Sequence, residues 1–390
     1  MKKAKLVLED KSTFEGVSFG FHQSAAGEVV FATGMVGYEQ SLTDPSYAGQ
    51  ILTFTYPLIG NWGVPKKDYW ESEKIQVQGV IISDLATKPN HHLAQKTLDS
   101  WLKEEKIPGI FGIDTRKLTQ KLRDRGVMLG KIVVDNKDID FWDPNSENLV
   151  AKVSPQEVKI HRPKWEVRGG RIENDVGSEK NLTSHIKNPV SNFSHRTSPI
   201  IALLNCGAKK NILRNLLARG ATVYDLPWDY DPFAKNLSID GLVISNGPGD
   251  PKMAKDSIAI IKKALTKKIP TFGICLGNQL LALAAGGDTY KLKFGHRAQN
   301  QPTIEIVDPE RSRRVESKRC YITTQNHGYT VDEKKLPKEF KRWFYNANDN
   351  TNEGLIHEKL PFFSVQFHPE ATPGPYDTTW LFDYFLEKFR

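Results

Sequence analysis

Hydrophobic positions along the chain follow two rhythms. In the first, short apolar runs at Lys5 to Leu8, Gly27 to Thr33, Ile51 to Tyr56, Lys74 to Ile82 and Lys131 to Val134 are each bounded by polar or turn residues, and each predicts a strand. Helical spacing interrupts them twice, over Thr97 to Glu105 and over Thr115 to Arg125. In the second of these, Leu118 and Leu122 share a face, Asp114 or Thr115 caps the start, and Gly126 stops the end. Residues 1–152 therefore predict an α+β domain.

From Pro199 strands alternate with helices. Strands are predicted at Ile200 to Asn205, Thr222 to Leu226, Gly241 to Ser245, Thr271 to Ile274 and Phe362 to Phe367. Helices are predicted over Asn211 to Arg219, Asp256 to Thr266 and Thr379 to Lys388. This alternation predicts an open α/β domain over residues 199–390, with a mainly parallel sheet covered on both faces. Between the two lies a segment, 153–198, rich in polar and breaking residues such as Arg168-Gly-Gly-Arg171 and Asn188-Pro-Val-Ser-Asn. A stretch of about 45 patternless residues is uncommon inside one compact domain, so it predicts an interdomain linker.

Composition narrows the class. A chain of 390 residues, 39% hydrophobic and 26% charged, can bury two cores and is not globally disordered. Apolar stretches such as Leu280 to Ala285 fall short of the roughly 18 residues of a spanning helix, so no membrane partner is expected. Met1-Lys-Lys-Ala-Lys runs into Glu9-Asp10 without a signal-like apolar region, which predicts a cytoplasmic location. The formal charge of +8 comes from basic residues interleaved with acids, and no nucleic-acid-binding pattern accompanies it; no nucleic-acid partner is expected. The densest basic run, Arg311 to Arg319, predicts a solvated hairpin or a docking surface for an acidic partner. Three widely spaced cysteines indicate neither a disulfide framework nor a zinc site.

One cysteine carries chemistry. Gly273, Cys275 and Gly277 lie where an apolar strand meets a helix, and this spacing fits a nucleophile elbow, whose sharp turn needs small neighbours. The start of the following helix favours a thiolate. A buried structural cysteine has no use for flanking glycines, and Cys206 and Cys320, which lack the pair, are read as structural. Downstream, His368-Pro-Glu370 ends a predicted strand and supplies a base with a carboxylate to orient it. Ser245-Asn-Gly247-Pro-Gly249 follows another strand; it lacks the lysine of a phosphate loop, but its N–H groups could stabilise an oxyanion.

Together these motifs resemble the class I, or triad, glutamine amidotransferases. Thr43-Asp-Pro-Ser46-Tyr, Tyr56-Pro-Leu-Ile-Gly-Asn61, Gly112-Ile-Asp-Thr-Arg116, Gly207-Ala-Lys209 and Lys293-Phe-Gly-His296 narrow the resemblance to the small-chain family of the carbamoyl phosphate synthetases. That resemblance implies glutamine hydrolysis through a γ-glutamyl thioester on Cys275, with His368 as base, Glu370 as its orienting group, and an oxyanion hole from Gly247 and Leu276. It implies a glutamine pocket lined by Ser46, Lys209, Gly247, Gly249, Leu276, Gln279, Asn326, Gly328 and Tyr329. It further implies no metal or cofactor in this chain, and a separate large subunit that uses ATP, magnesium and bicarbonate to make carbamoyl phosphate. Asn278 departs from the family's usual histidine, which puts tuning of the thiolate or coupling to the partner in question. Two other readings remain open here: an amidotransferase serving another acceptor, against which the N-terminal half argues, and an idle docking subunit, against which the intact triad argues. The sequence does not choose between arginine and pyrimidine synthesis.

Overall fold

Alternating burial closes the N-terminal half on itself. The computed structural model describes residues 2–163, 165–168, 171–174, 198–306 and 318–389. In β1 (Lys3–Leu8), Ala4, Leu6 and Leu8 are buried and the intervening residues are not, as a half-buried strand requires. Together with β2 (Thr13–Gly20), β3 (Ala25–Ala32), β4 (Gln50–Phe54), β6 (Gly79–Ile81), β8 (Pro108–Phe111) and β9 (Met128–Val134) it forms a closed barrel of order β1-β2-β8-β6-β4-β3-β9. Two short strands, β5 (Leu58–Ile59) and β7 (Asp84–Leu85), pair separately. The barrel gives the β-rich part of the expected α+β half.

Its helices are α1 (Tyr38–Thr43), α2 (Leu98–Glu104) and α3 (Thr115–Arg125). Asp114 caps α3 by accepting from the Lys117 N–H, and Gly126 at φ 106° ends it. Only Gly79 to Ile81 of the expected strand at Lys74 to Ile82 joins the ladder. Ahead of it, Ile75 and Val77 are buried, but the backbone bonds outside any ladder there, with Gln76 N–H donating to Leu42 O at the end of α1. Apolar alternation there satisfies the core without a strand.

The parallel pairing of β3 with β4 matters for function. Parallel neighbours cannot be joined by a tight turn, so the chain crosses from Ala32 to Gln50 through α1 and a single 3-10 turn, Pro45–Tyr47. Asp44 caps this turn, accepting from the Ser46 N–H at 2.9 Å.

After α4 (Leu149–Val153) comes a second, ten-stranded sheet. Its centre is parallel: β14 (Thr222–Pro227), β13 (Ile200–Asn205), β15 (Gly241–Ile244), β16 (Thr271–Ile274) and β21 (Phe362–Val365) lie side by side. α5 (Lys210–Ala218), α6 (Lys255–Thr266), α7 (Leu276–Ala284) and α8 (Trp380–Leu386) cover it, with separate apolar clusters beneath them. The strands are continuous buried runs, as burial on both faces demands.

Antiparallel strands extend this parallel core. β10 (Lys159–His161) adds to β14 at one edge, and β11 (Trp165–Arg168) pairs with β12 (Arg171–Asn174), so the expected linker contains strands; residues 175–197 of it lie outside the described residues. At the other side β20 (Asn352–His357), β19 (Phe340–Asn346), β17 (Asp288–Glu305) and β18 (Arg319–Asp332) follow β21. These strands are rich in Thr, Gln, Asn and His, and β17 and β18 are bulged between Lys291 and His296, which hides their period. The basic run at Arg311 to Arg319 lies outside the described residues except at Arg319 and Lys318.

The two halves are joined by polar contacts. The β17 backbone reaches the barrel, with Thr33 N–H donating to Arg297 O at 3.1 Å and Val127 N–H to Lys293 O at 2.9 Å. Glu71, fully buried, accepts from Asn211 N–H at 3.0 Å and pairs with Arg214 at 3.0 Å. Among the described residues no helix is long and apolar enough to cross a membrane.

Candidate active site

The carboxyl ends of β13, β15, β16 and β21 open on one crevice, the place where parallel sheets present ligand-binding residues. β16 turns into α7 at Cys275, whose φ of 54° and ψ of −101° is a strained conformation for a residue with a side chain. Close packing forces the flanking glycines. A Cβ on Gly273 would stand 2.4 Å from Gly277 O, and one on Gly277 would stand 2.3 Å from Ile244 O. The Cys275 N–H donates to Val365 O at 2.8 Å, which pins the elbow to β21.

The chain leaves β21 at Val365, and the segment just past it carries Gln366 and His368. His368, 1% exposed, has Nδ1 2.6 Å from a Glu370 oxygen, which fixes that nitrogen as the N–H and leaves Nε2 as the base. Among the described residues Nε2 has no hydrogen-bond partner, while the Cys275 thiol donates to Asn326 O at 3.6 Å and accepts from Gln366 Nε2 at 3.7 Å. The thiol and imidazole are thus neighbours without a formed bond, as catalytic pairs often are before substrate arrives.

Electrostatics hold this group in register. Burial acts to lower the pKa of His368, but the charges of Glu370 and Cys275 outweigh it and raise the value to about 10. Burial acts to raise Glu370, but Lys209 and His368 bring it down to about 2. Lys209 is 2% exposed; its ammonium lies 3.1 Å from Glu370 and donates to Ala371 O at 2.6 Å. A side chain expected on the pocket wall therefore sits behind the triad, holding its carboxylate.

The pocket itself is a cleft of about 420 Å³. Of the residues expected there, Ser46, Gly247, Gly249, Leu276, Gln279, Asn326, Gly328 and Tyr329 line it beside Cys275. Gly247 is required because a Cβ would lie 2.2 Å from Cys206 O, and Leu276 opens α7, where backbone N–H groups lack helical partners. Ser46 is placed by the β3–β4 crossover and accepts from Asn246 Nδ2 at 2.9 Å. Asp44 accepts from Asn326 Nδ2 at 3.1 Å.

Sequence reasoning missed Gln366 and the charged wall formed by Glu28, Lys291 and Arg297. Gln366 was within reach, two residues before His368 in the segment that follows β21. Glu28 and Lys291, paired at 2.6 Å across the two halves, carry no local signal. Asn278 is fully buried, donating to Gln366 Oε1 at 3.1 Å and accepting from Ser364 Oγ at 2.8 Å. It touches the thiol's donor rather than any outer surface.

Comparison with known proteins follows this division of the fold. Residues 202–388 match the model of the glutamine amidotransferase class-I family, and residues 6–132 match that of the carbamoyl-phosphate synthase small chain, CPSase domain. Multifunctional protein pyr1-3 of Dictyostelium discoideum is 45% identical over 99% of this chain and 17% of its own length. Carbamoyl-phosphate synthase [ammonia], mitochondrial, of Homo sapiens is 44% identical over 99% of this chain and 24% of its own length. The chain thus spans between about a sixth and a quarter of these relatives. A solved glutamine amidotransferase from Thermotoga maritima is 20% identical, covering 50% of this chain and 84% of its own, at a TM-score of 0.34.

Proposed function

Because this chain belongs to the carbamoyl-phosphate synthase small-chain family and carries a class-I glutamine amidotransferase domain, we propose that it hydrolyses glutamine and passes the ammonia to a synthetase partner. The observation that carries the reading is the buried chain of contacts from Lys209 through Glu370 to His368, beside a cleft that Cys275, Gly247 and Leu276 line.

In the proposed reaction Sγ attacks the side-chain amide carbon of glutamine, and the oxyanion is met by the N–H groups of Gly247 and Leu276. The C–N bond breaks as His368 delivers a proton to the leaving nitrogen, giving ammonia and a γ-glutamyl thioester. Water then attacks the thioester while His368 takes its proton, releasing glutamate and restoring the thiol. Glu370 keeps the imidazole in one tautomer, and Lys209 keeps Glu370 charged. Ser46, Gly249, Gln279, Asn326, Gly328 and Tyr329 hold the substrate. Glu28, against Lys291 and Arg297, offers both signs of charge for an amino acid's ammonium and carboxylate groups.

The proposed partner is a large subunit that holds ATP and magnesium and makes carbamoyl phosphate from bicarbonate. The compartment proposed is the cytoplasm, with the human relative's mitochondrial name marking the alternative. A second reading, an idle glutaminase site on a docking subunit, is favoured by that relative's designation for ammonia. The complete triad in this chain weighs for activity instead. One experiment separates them: the chain is mixed with a large synthetase subunit, and carbamoyl phosphate is measured from glutamine or from ammonium. Cys275→Ser is expected to abolish glutamine use and spare ammonium use; equal activity of mutant and wild type on glutamine sinks the proposal.

A further inference from the structure

At the cleft wall, whose lining includes His327, three side chains converge that the proposed reaction does not use. His296 on β17 and His327 on β18 are direct cross-strand partners, and Glu353 on β20 lies beside both. All are buried, at 8%, 4% and 0% exposure. Their ligand atoms lie within 4.8 Å of one another.

The outer contacts of the two imidazoles decide which nitrogens face inward. His296 Nε2 is 2.8 Å from Asp349 Oδ2, and His327 Nδ1 is 2.9 Å from Tyr329 O; both oxygens only accept, so these nitrogens carry the hydrogens. That leaves His296 Nδ1 and His327 Nε2 turned toward one Glu353 oxygen, at 3.4 and 3.6 Å. Among the described residues His327 Nε2 and both Glu353 oxygens have no hydrogen-bond partner. Asn346 Nδ2 stands 3.5 Å from His296 Nδ1, at the limit of a hydrogen bond.

With both rings neutral, two nitrogen lone pairs and a buried carboxylate meet without a positive charge between them, which is costly. The separations are longer than an ordinary N–H···O bond. They are close to the edge of a tetrahedron around a zinc ion, about 3.4 Å for bonds of about 2.1 Å. The outer contacts also match those of metal-bound imidazoles, which donate their second N–H to a carboxylate or a backbone carbonyl.

We propose that His296, His327 and Glu353 form a site for one divalent transition-metal ion of the zinc class, bound through His296 Nδ1, His327 Nε2 and Glu353. This departs from the expectation that the chain holds no metal. Asn326 and Gly328 flank His327 and line the cleft, and Asn326 O accepts the thiol, so the ion ties the pocket wall to the sheet behind it. The rival occupant is a proton on His296: burial works against it, but Asp349 and Glu353 raise that imidazole to about 9.

The test reads metal, not glutamine turnover, so its outcome is independent of the proposed catalysis. The full chain, purified without chelator or histidine tag, is expected to hold about one zinc per molecule by elemental analysis. After chelator treatment, Co²⁺ alone is expected to give the visible absorption of a tetrahedral site, saturating at about one equivalent. Asp349→Asn, at a half-exposed position away from the cleft, should weaken Co²⁺ binding about 10- to 100-fold, and Glu353→Gln should remove the absorption. Should Glu353→Gln fail to fold, Asp349→Asn and the wild-type titration decide. Background zinc together with no absorption at millimolar Co²⁺ overturns the proposal and assigns the gap to the proton.

Discussion

Cys206 and Cys275 end two parallel strands of the same sheet, each with a glycine close behind it, and both are buried. Around Cys206 lie Ser257, at 3.7 Å, and an apolar cluster, and burial pushes its thiol up to about 12. Around Cys275 lie an imidazole, the Gln366 amide and a cleft, and its positive φ turns the side chain out of the sheet. Burial is common to both, so burial does not make a nucleophile. Backbone strain and a charged neighbour separate them.

The contrast predicts a graded set of outcomes. Cys275→Ser should lower glutamine hydrolysis by on the order of 10³-fold or more, measured as glutamate release. Glu370→Gln should lower kcat by roughly 10²- to 10⁴-fold, because an amide neither fixes the tautomer nor supports the imidazolium. The same variant should alter acid unfolding. Glu370 falls from 4.5 to about 2 on folding, so it stabilises the protein above its ordinary value and loses that contribution as pH drops toward 2; the variant's acid limb should be flatter by calorimetry. Ser46→Ala removes one polar contact across the cleft and should raise KM about three- to tenfold, or about 0.5–1.5 kcal/mol. Cys206→Ala marks the other end of the comparison, with turnover within about twofold of wild type and about 1 kcal/mol lost from thermal stability. Loss of glutamine hydrolysis in Cys206→Ala, with its fold intact, would erase the distinction.

The elbow was legible in sequence because its glycines answer to local packing, within a few residues of Cys275. The parallel core was legible because its strands are continuous apolar runs. The barrel was not, since closure depends on β1 finding β9 and on strands such as Pro108–Phe111, where a leading proline and a glycine mask the pattern. Lys209 shows a different failure. Its motif marked its importance but not its direction, and the position of the triad carboxylate Glu370, 161 residues later, decided where the ammonium went. Glu28 and Lys291 became a pair only through docking of the two halves.

The crossover that delivers Ser46 to Asn246 joins positions 200 residues apart. A cleft written at two such distant places exists only while barrel and sheet stay docked. The proposed glutaminase activity would therefore report on the integrity of the whole chain: mild denaturant that loosens the docking should silence it before either half melts, so that damaged molecules would stop consuming glutamine instead of leaking ammonia.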